Sequence, residues 1–183
     1  MGMSRDSVSV AFVFSLAASG CLTFGQGGSQ DDEGAGEPGF AVAADPLSST
    51  CGSNQLDLEA AWSFTVQIET DPEAEIVTWD DGTRKGEVAL ELEDLSFTVT
   101  STKVVDMRTS EEVGWLPPCR IRRTDRVEAT LDDAEEPTAL EGKMSFSFEP
   151  TDESDCSDIL AREAPVIAKL PCEAKFEIEG ELR

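Results

Sequence analysis

Residues Leu56 to Glu69 read LDLEAAWSFTVQIE, and the spacing of their apolar side chains decides the fold class. Leu56, Leu58, Ala60, Trp62, Phe64, Val66 and Ile68 fall on successive even positions. Asp57, Glu59, Ser63, Thr65, Gln67 and Glu69 lie between them. Period-2 alternation puts one face of an extended chain in a core and the other in water, which is the mark of an antiparallel strand. A strand running from Leu56 to Ile68 is long at ~3.3 Å per residue, so a bulge or bend is expected within it.

The same rhythm continues to the end of the chain. Ile76 to Trp79 forms a further strand that turns at Asp80-Asp81-Gly82, because Asp-Gly favours a tight hairpin. Val88, Leu90 and Leu92 alternate with Glu87, Ala89, Glu91 and Glu93, and then Leu95, Phe97 and Val99 with Ser96, Thr98 and Thr100. Pro117-Pro118 takes the chain out of any central ladder, since proline donates no hydrogen bond. Strands follow at Ile121, at Val127 to Leu131, at Leu140 to Phe148, and at Cys172 to Leu182. The spacing predicts a short helix over Asp158 to Ala164, capped by Asp155 or Ser157. About eight strands with at most one short helix make an all-β fold, either an antiparallel β-sandwich or a closed β-barrel.

Upstream the pattern changes. Residues 21–50 are rich in Gly, Ser, Asp and Glu and read as a flexible acidic linker, leaving 51–183 as a single β-rich domain. As a Gly-rich coil the 22–50 segment would span ~30 Å. Before it, Arg5 and the apolar run Val8 to Ala18 have the layout of an export signal covering residues 1–20. That run is too short for the ~20 residues of a membrane-spanning helix.

The end of the signal, Ala18-Ser19-Gly20-Cys21, resembles the lipobox of bacterial lipoproteins. The resemblance implies that Cys21 is acylated and becomes the mature N-terminus, with membrane lipid as its partner. With Leu22 after it, the resemblance implies the outer membrane in a Gram-negative cell envelope. If Cys21 is not acylated, the segment is an ordinary secretory signal and the protein is secreted.

The five cysteines agree with export. Cys21 is set aside, and Cys51, Cys119, Cys156 and Cys172 form an even set suited to two disulfides in an oxidising compartment. Three pairings are possible, and Cys156–Cys172 with Cys51–Cys119 is expected because the first pair flanks one local excursion. Closing that short loop would stabilise the fold by about 3 kcal/mol.

Charge and composition exclude several functions. With 38 acidic and 14 basic residues the net charge is -24, which repels phosphate backbones and rules out nucleic acid as a partner. The chain has no histidine, so the commonest general base and metal ligand is missing. No CxxC spacing or nucleophile motif occurs, and neither an enzymatic activity nor a cofactor or metal is expected.

Four features remain as candidates. Trp62 and Trp79 sit on apolar faces and read as core, while Trp115, before Leu116-Pro117-Pro118, is the candidate ligand-binding aromatic. Arg120, Arg122, Arg123 and Arg126 cluster within seven positions and are expected to pair with facing glutamates. Acidic clusters at Asp80/Asp81, Asp132 to Glu136 and Asp152 to Asp158 read as solvated loops more readily than as a calcium site. The expected role is a non-catalytic interaction or envelope-structural domain whose partner is an envelope protein or a glycan. The alternatives are a small-ligand carrier with a barrel cavity and a carbohydrate-binding module using Trp115.

Overall fold

The structure, a computed structural model, describes residues 39–52, 58–109 and 111–183. The signal segment and Cys21 lie outside the described residues. Eight antiparallel strands, joined in sequence order, close into a barrel: β1 (Phe40–Ser49), β2 (Trp62–Asp71), β3 (Ile76–Asp80), β4 (Lys85–Glu91), β5 (Ser96–Asp106), β6 (Arg120–Leu131), β7 (Ala139–Pro150) and β8 (Cys172–Leu182). One short helix, α1 (Ser157–Leu160), precedes β8. Its N-cap is Cys156, neither Asp155 nor Ser157, although Asp155 just before it accepts the Ser157 N–H at 3.0 Å, and the helix is shorter than the span to Ala164 read from the sequence.

Three expectations need correction. Residues Phe40–Ser49, read as part of the linker, form β1. Their signal is short, Phe40, Val42 and Ala44 before Asp45-Pro46, yet these three side chains are buried. β1 closes the barrel by pairing with β2 through Phe40–Val66 and with β8 through Phe40–Leu182. Without it both neighbours would carry bare edges. Second, β2 begins at Trp62, so Leu58 is buried ahead of the strand, in a turn, rather than within it.

Third, the disulfides are Cys51–Cys172 and Cys119–Cys156. The barrel dictates this pairing. Ser49 lies opposite Ala174 in the β1–β8 ladder, so Cys51 and Cys172 leave adjacent strands at the same end. Cys119 immediately precedes β6 beside the end of β7, Ile121 facing Pro150, from which the chain runs on to Cys156.

The interior is apolar and the outer wall charged, the inverse of a barrel that crosses a membrane with its strands. β8 shows it plainly, with Ala174, Phe176 and Ile178 buried while Lys175, Glu177, Glu179 and Glu181 are exposed. No helix among the described residues is long and apolar enough to cross a membrane. Where β7 lies against Glu128 and Ala129 of β6 a glycine is required, because a Cβ on Gly142 would lie 2.1 Å from the Glu128 carbonyl oxygen.

The two ends of the barrel differ. Gly39 and Arg183 meet at one end, where the Arg183 N–H donates to the Gly39 carbonyl at 3.0 Å, and short turns join β4 to β5 and β6 to β7. The opposite end carries the long 107–119 and 151–171 connections and both disulfides.

Candidate functional site

The bore, where a carried ligand would sit, is spanned by rings. Phe97 and Trp79 are 6.1 Å apart between centroids, Trp79 and Phe64 6.5 Å, Phe64 and Trp62 4.9 Å, and Trp62 and Phe176 6.2 Å. Phe146 joins the series 5.8 Å from Phe176. All these separations lie in the favourable range for aromatic pairs. Trp79 is fully buried and Trp62 half-buried, both as core residues.

Two charged pairs enter this apolar interior. In β6, Arg123 and Asp125 share the inward parity of Ile121 and Val127, and their side chains meet at 2.5 Å. The Arg123 guanidinium lies 5.0 Å over the Phe146 ring, a cation–π contact. In the β3–β4 turn, the buried Asp81 carboxylate accepts from the Trp79 indole N–H at 3.2 Å, from the Thr83 hydroxyl at 2.7 Å and from Arg84 Nε at 2.6 Å. Burial alone would raise its pKa, but the Thr83 hydroxyl and the Arg84 charge hold it below the usual carboxylate value. The sequence reading missed both pairs. Parity was the available signal for the first, since Arg123 and Asp125 break an otherwise apolar face.

The rest of the arginine cluster is outward and paired. Arg122 faces Glu149 across the β6–β7 ladder at 3.9 Å, and Arg120 faces Asp106 across the β5–β6 ladder at 3.8 Å. Arg126 pairs along its own strand with Glu128 at 2.7 Å. Such exposed pairs are worth little individually.

The acidic clusters act as turn clamps. Asp132 accepts from the Thr138 hydroxyl at 2.6 Å and from the Thr138 and Ala139 N–H groups at 2.9 Å each. These bonds, the Thr138 hydroxyl foremost, lower its pKa to about 2. Asp133 accepts the Glu135 and Glu136 N–H groups. Among the described residues, no three carboxylates or cysteines are grouped to hold a metal ion.

Trp115 occupies a different setting, at the tip of the 107–119 connection. It is 89% exposed, and Val113 and Leu116 beside it are 57% and 43% exposed. Leaving three apolar residues in water together has a cost in hydrophobic free energy, so a contiguous patch of this kind marks an interaction site more often than chance.

The loop beneath them is fixed from several sides. The Arg108 side chain is buried, donates to both Asp158 oxygens at 2.9 Å, to the Asp155 carbonyl at 3.2 Å and to the Pro117 carbonyl. The Asp158 carboxyl is held below its ordinary value, chiefly by that hydrogen bond from Arg108. Glu112 accepts the Thr109 N–H at 2.9 Å and pairs with Arg162. Gly114, at φ +93°, allows the turn that lifts Trp115, and Cys119–Cys156 fastens the base.

A shallow groove of about 480 Å³ on the outer wall, between β1, β7 and β8, is lined by Ala41 and Ala43 beside Glu141, Glu179 and Glu181. It offers mostly carboxylates and small side chains, with Arg183 as its cation and no aromatic ring. No family model, curated protein or solved structure matches the chain.

Proposed function

We propose that this protein is an exported, non-catalytic interaction domain, tethered to the cell envelope through an acylated Cys21, which meets an envelope protein with its Trp115 loop. The carrying observation is Trp115 itself, almost fully exposed on a loop held by a disulfide, a buried arginine and an ion pair. A rigid loop loses little conformational entropy on binding, so its apolar contacts are retained as affinity. Aromatic anchors of this kind dominate interface energetics.

The polarity of the barrel supports the same reading. The chain enters at Gly39, at the end opposite the Trp115 loop, so a tether upstream of Gly39 leaves the loop end directed away from its attachment. Val113 and Leu116 flank the indole with apolar surface, which suits a protein pocket better than a sugar with its ring of hydroxyls. The carrier alternative ranks lower because the bore is occupied by the Trp62, Phe64, Trp79, Phe97, Phe146 and Phe176 rings.

Intact mass of the mature protein tests the anchor. An acylated cysteine at residue 21 is expected, and Cys21→Ser should release the domain from membranes with its fold unchanged. An unmodified N-terminus elsewhere would leave a secreted domain.

A further inference from the structure

β5 is partnered along its full length on one side only. Its ladder with β6 runs from Ser96–Thr130 to Asp106–Arg120, whereas its ladder with β4 consists of Leu90–Phe97 and Glu91–Ser96. The cause is strand length: β3 has 5 residues and β4 has 7, against 11 in β5. Those short strands fill the wall between β2 and β5 only near the end where the termini meet. From Thr98 to Asp106 the second edge of β5 has no ladder partner among the described residues.

Alternate residues of a strand turn their N–H and C=O groups to each edge, so about half of this stretch turns its backbone groups to an edge without a ladder partner among the described residues. Thr98, Thr100, Thr102, Lys103 and Val104 are exposed along it. A long uncovered edge rich in β-branched residues is a template for another strand.

The residues on the edge point to its occupant. Thr98 to Val104 reads TVTSTKV and contains no carboxylate, in a chain that has 38. Run antiparallel against itself about Ser101, it sets Thr98 opposite Val104, Val99 opposite Lys103 and Thr100 opposite Thr102. No like charges face each other, and threonine and β-branched pairs are favourable cross-strand neighbours. We propose that the β5 edge pairs with the β5 edge of a second copy of this chain, about a two-fold axis at Ser101, in an isologous dimer.

The dimer has a characteristic salt response. Each copy carries a net charge of -24, so the copies repel at long range, and the contact itself contains no ion pair that salt would weaken. Raising ionic strength from about 0.01 M to about 0.15 M shortens the screening length from ~30 Å to ~8 Å and strengthens association.

The test uses the full chain with Cys21→Ser, followed by sedimentation and by oxidative cross-linking of a Ser101→Cys variant with both native disulfides intact. Residues directly opposite in an antiparallel pair have Cβ atoms ~4.5–5.5 Å apart, close to disulfide reach. The expected results are a dimer fraction that rises with salt, a covalent dimer from Ser101→Cys, and none from Glu141→Cys on β7, two strands away. Ser101→Lys, which sets two charges face to face, should weaken association at least tenfold. A chain that stays monomeric at every salt concentration overturns the proposal. So does a dimer that survives Ser101→Lys, or one that links equally through Glu141→Cys.

Discussion

Arg108 and Asp158, 50 positions apart in sequence, meet in a two-pronged ion pair with both N–O distances at 2.9 Å. The contact joins the connection that carries Trp115 to the one that carries α1, and Cys119–Cys156 ties the same two segments covalently. The loop end is therefore a small assembly of its own, built from charge and cross-links because strands do not reach it.

Removing the arginine should loosen that assembly. Arg108→Ala strands the Pro117 and Asp155 carbonyls that the guanidinium satisfies. The expected outcome is a thermal midpoint roughly 5 °C lower. Asp158→Asn should cost less, because Asp158 is partly exposed and the arginine keeps its two carbonyl partners. Differential scanning of the two variants side by side gives the comparison.

Asp132 sets a pH signature at the opposite end. Its pKa of about 2 in the fold lies below the ordinary 3.8, so its contribution is complete above about pH 4 and is lost as pH falls towards 2. Carboxyl chemical shifts should show a midpoint near 2 for Asp132. In Asp132→Asn the fall in stability between pH 4 and pH 2 should be smaller than in the parent.

The two disulfides should differ in weight. Cys51–Cys172 spans 121 residues and Cys119–Cys156 spans 37, so loop-closure entropy assigns them roughly 5 and roughly 4 kcal/mol. Denaturant unfolding of the Cys51→Ser/Cys172→Ser and Cys119→Ser/Cys156→Ser pairs should place the first variant lower in stability. Peptide mapping without reduction should recover the same two linkages.

The tryptophans should respond oppositely. Trp79→Ala removes a fully buried side chain whose rings touch Phe64 and Phe97, at an expected cost of about 3–5 kcal/mol. Trp115→Ala should stay within about 0.5 kcal/mol of the parent, as for other exposed positions. Acrylamide quenching should reach Trp115 and leave Trp79 largely shielded.

Alternation made much of the wall legible: β7, β8 and the β3–β4 hairpin follow from period 2 and turn residues. The strands read separately at Ile121 and at Val127 to Leu131 are one, β6, because Arg123 and Asp125 interrupt its inward apolar face, and β5 runs on past Thr100 to Asp106. β1 was hidden because its pattern lasts only from Phe40 to Ala44 before Asp45-Pro46, and because acidic, glycine-rich sequence precedes it. Its place is set by closure, which no local pattern reports. The disulfide pairing failed for the same reason, since Cys51 and Cys172 are neighbours only once β1 and β8 pair. At the candidate site, Trp115 could be picked out beside Pro117-Pro118. The Arg108 brace could not, because its partners Asp155 and Asp158 belong to a distant connection.

The claim that the Trp115 loop is the contact surface is tested most directly by a photo-reactive phenylalanine placed at position 115 in the native envelope. Irradiation should give one discrete adduct there, suppressed by excess parent protein, and none from the same probe at Glu181 beside the chain termini. Equal labelling at the two positions, or none at 115 in correctly folded protein, would contradict the account.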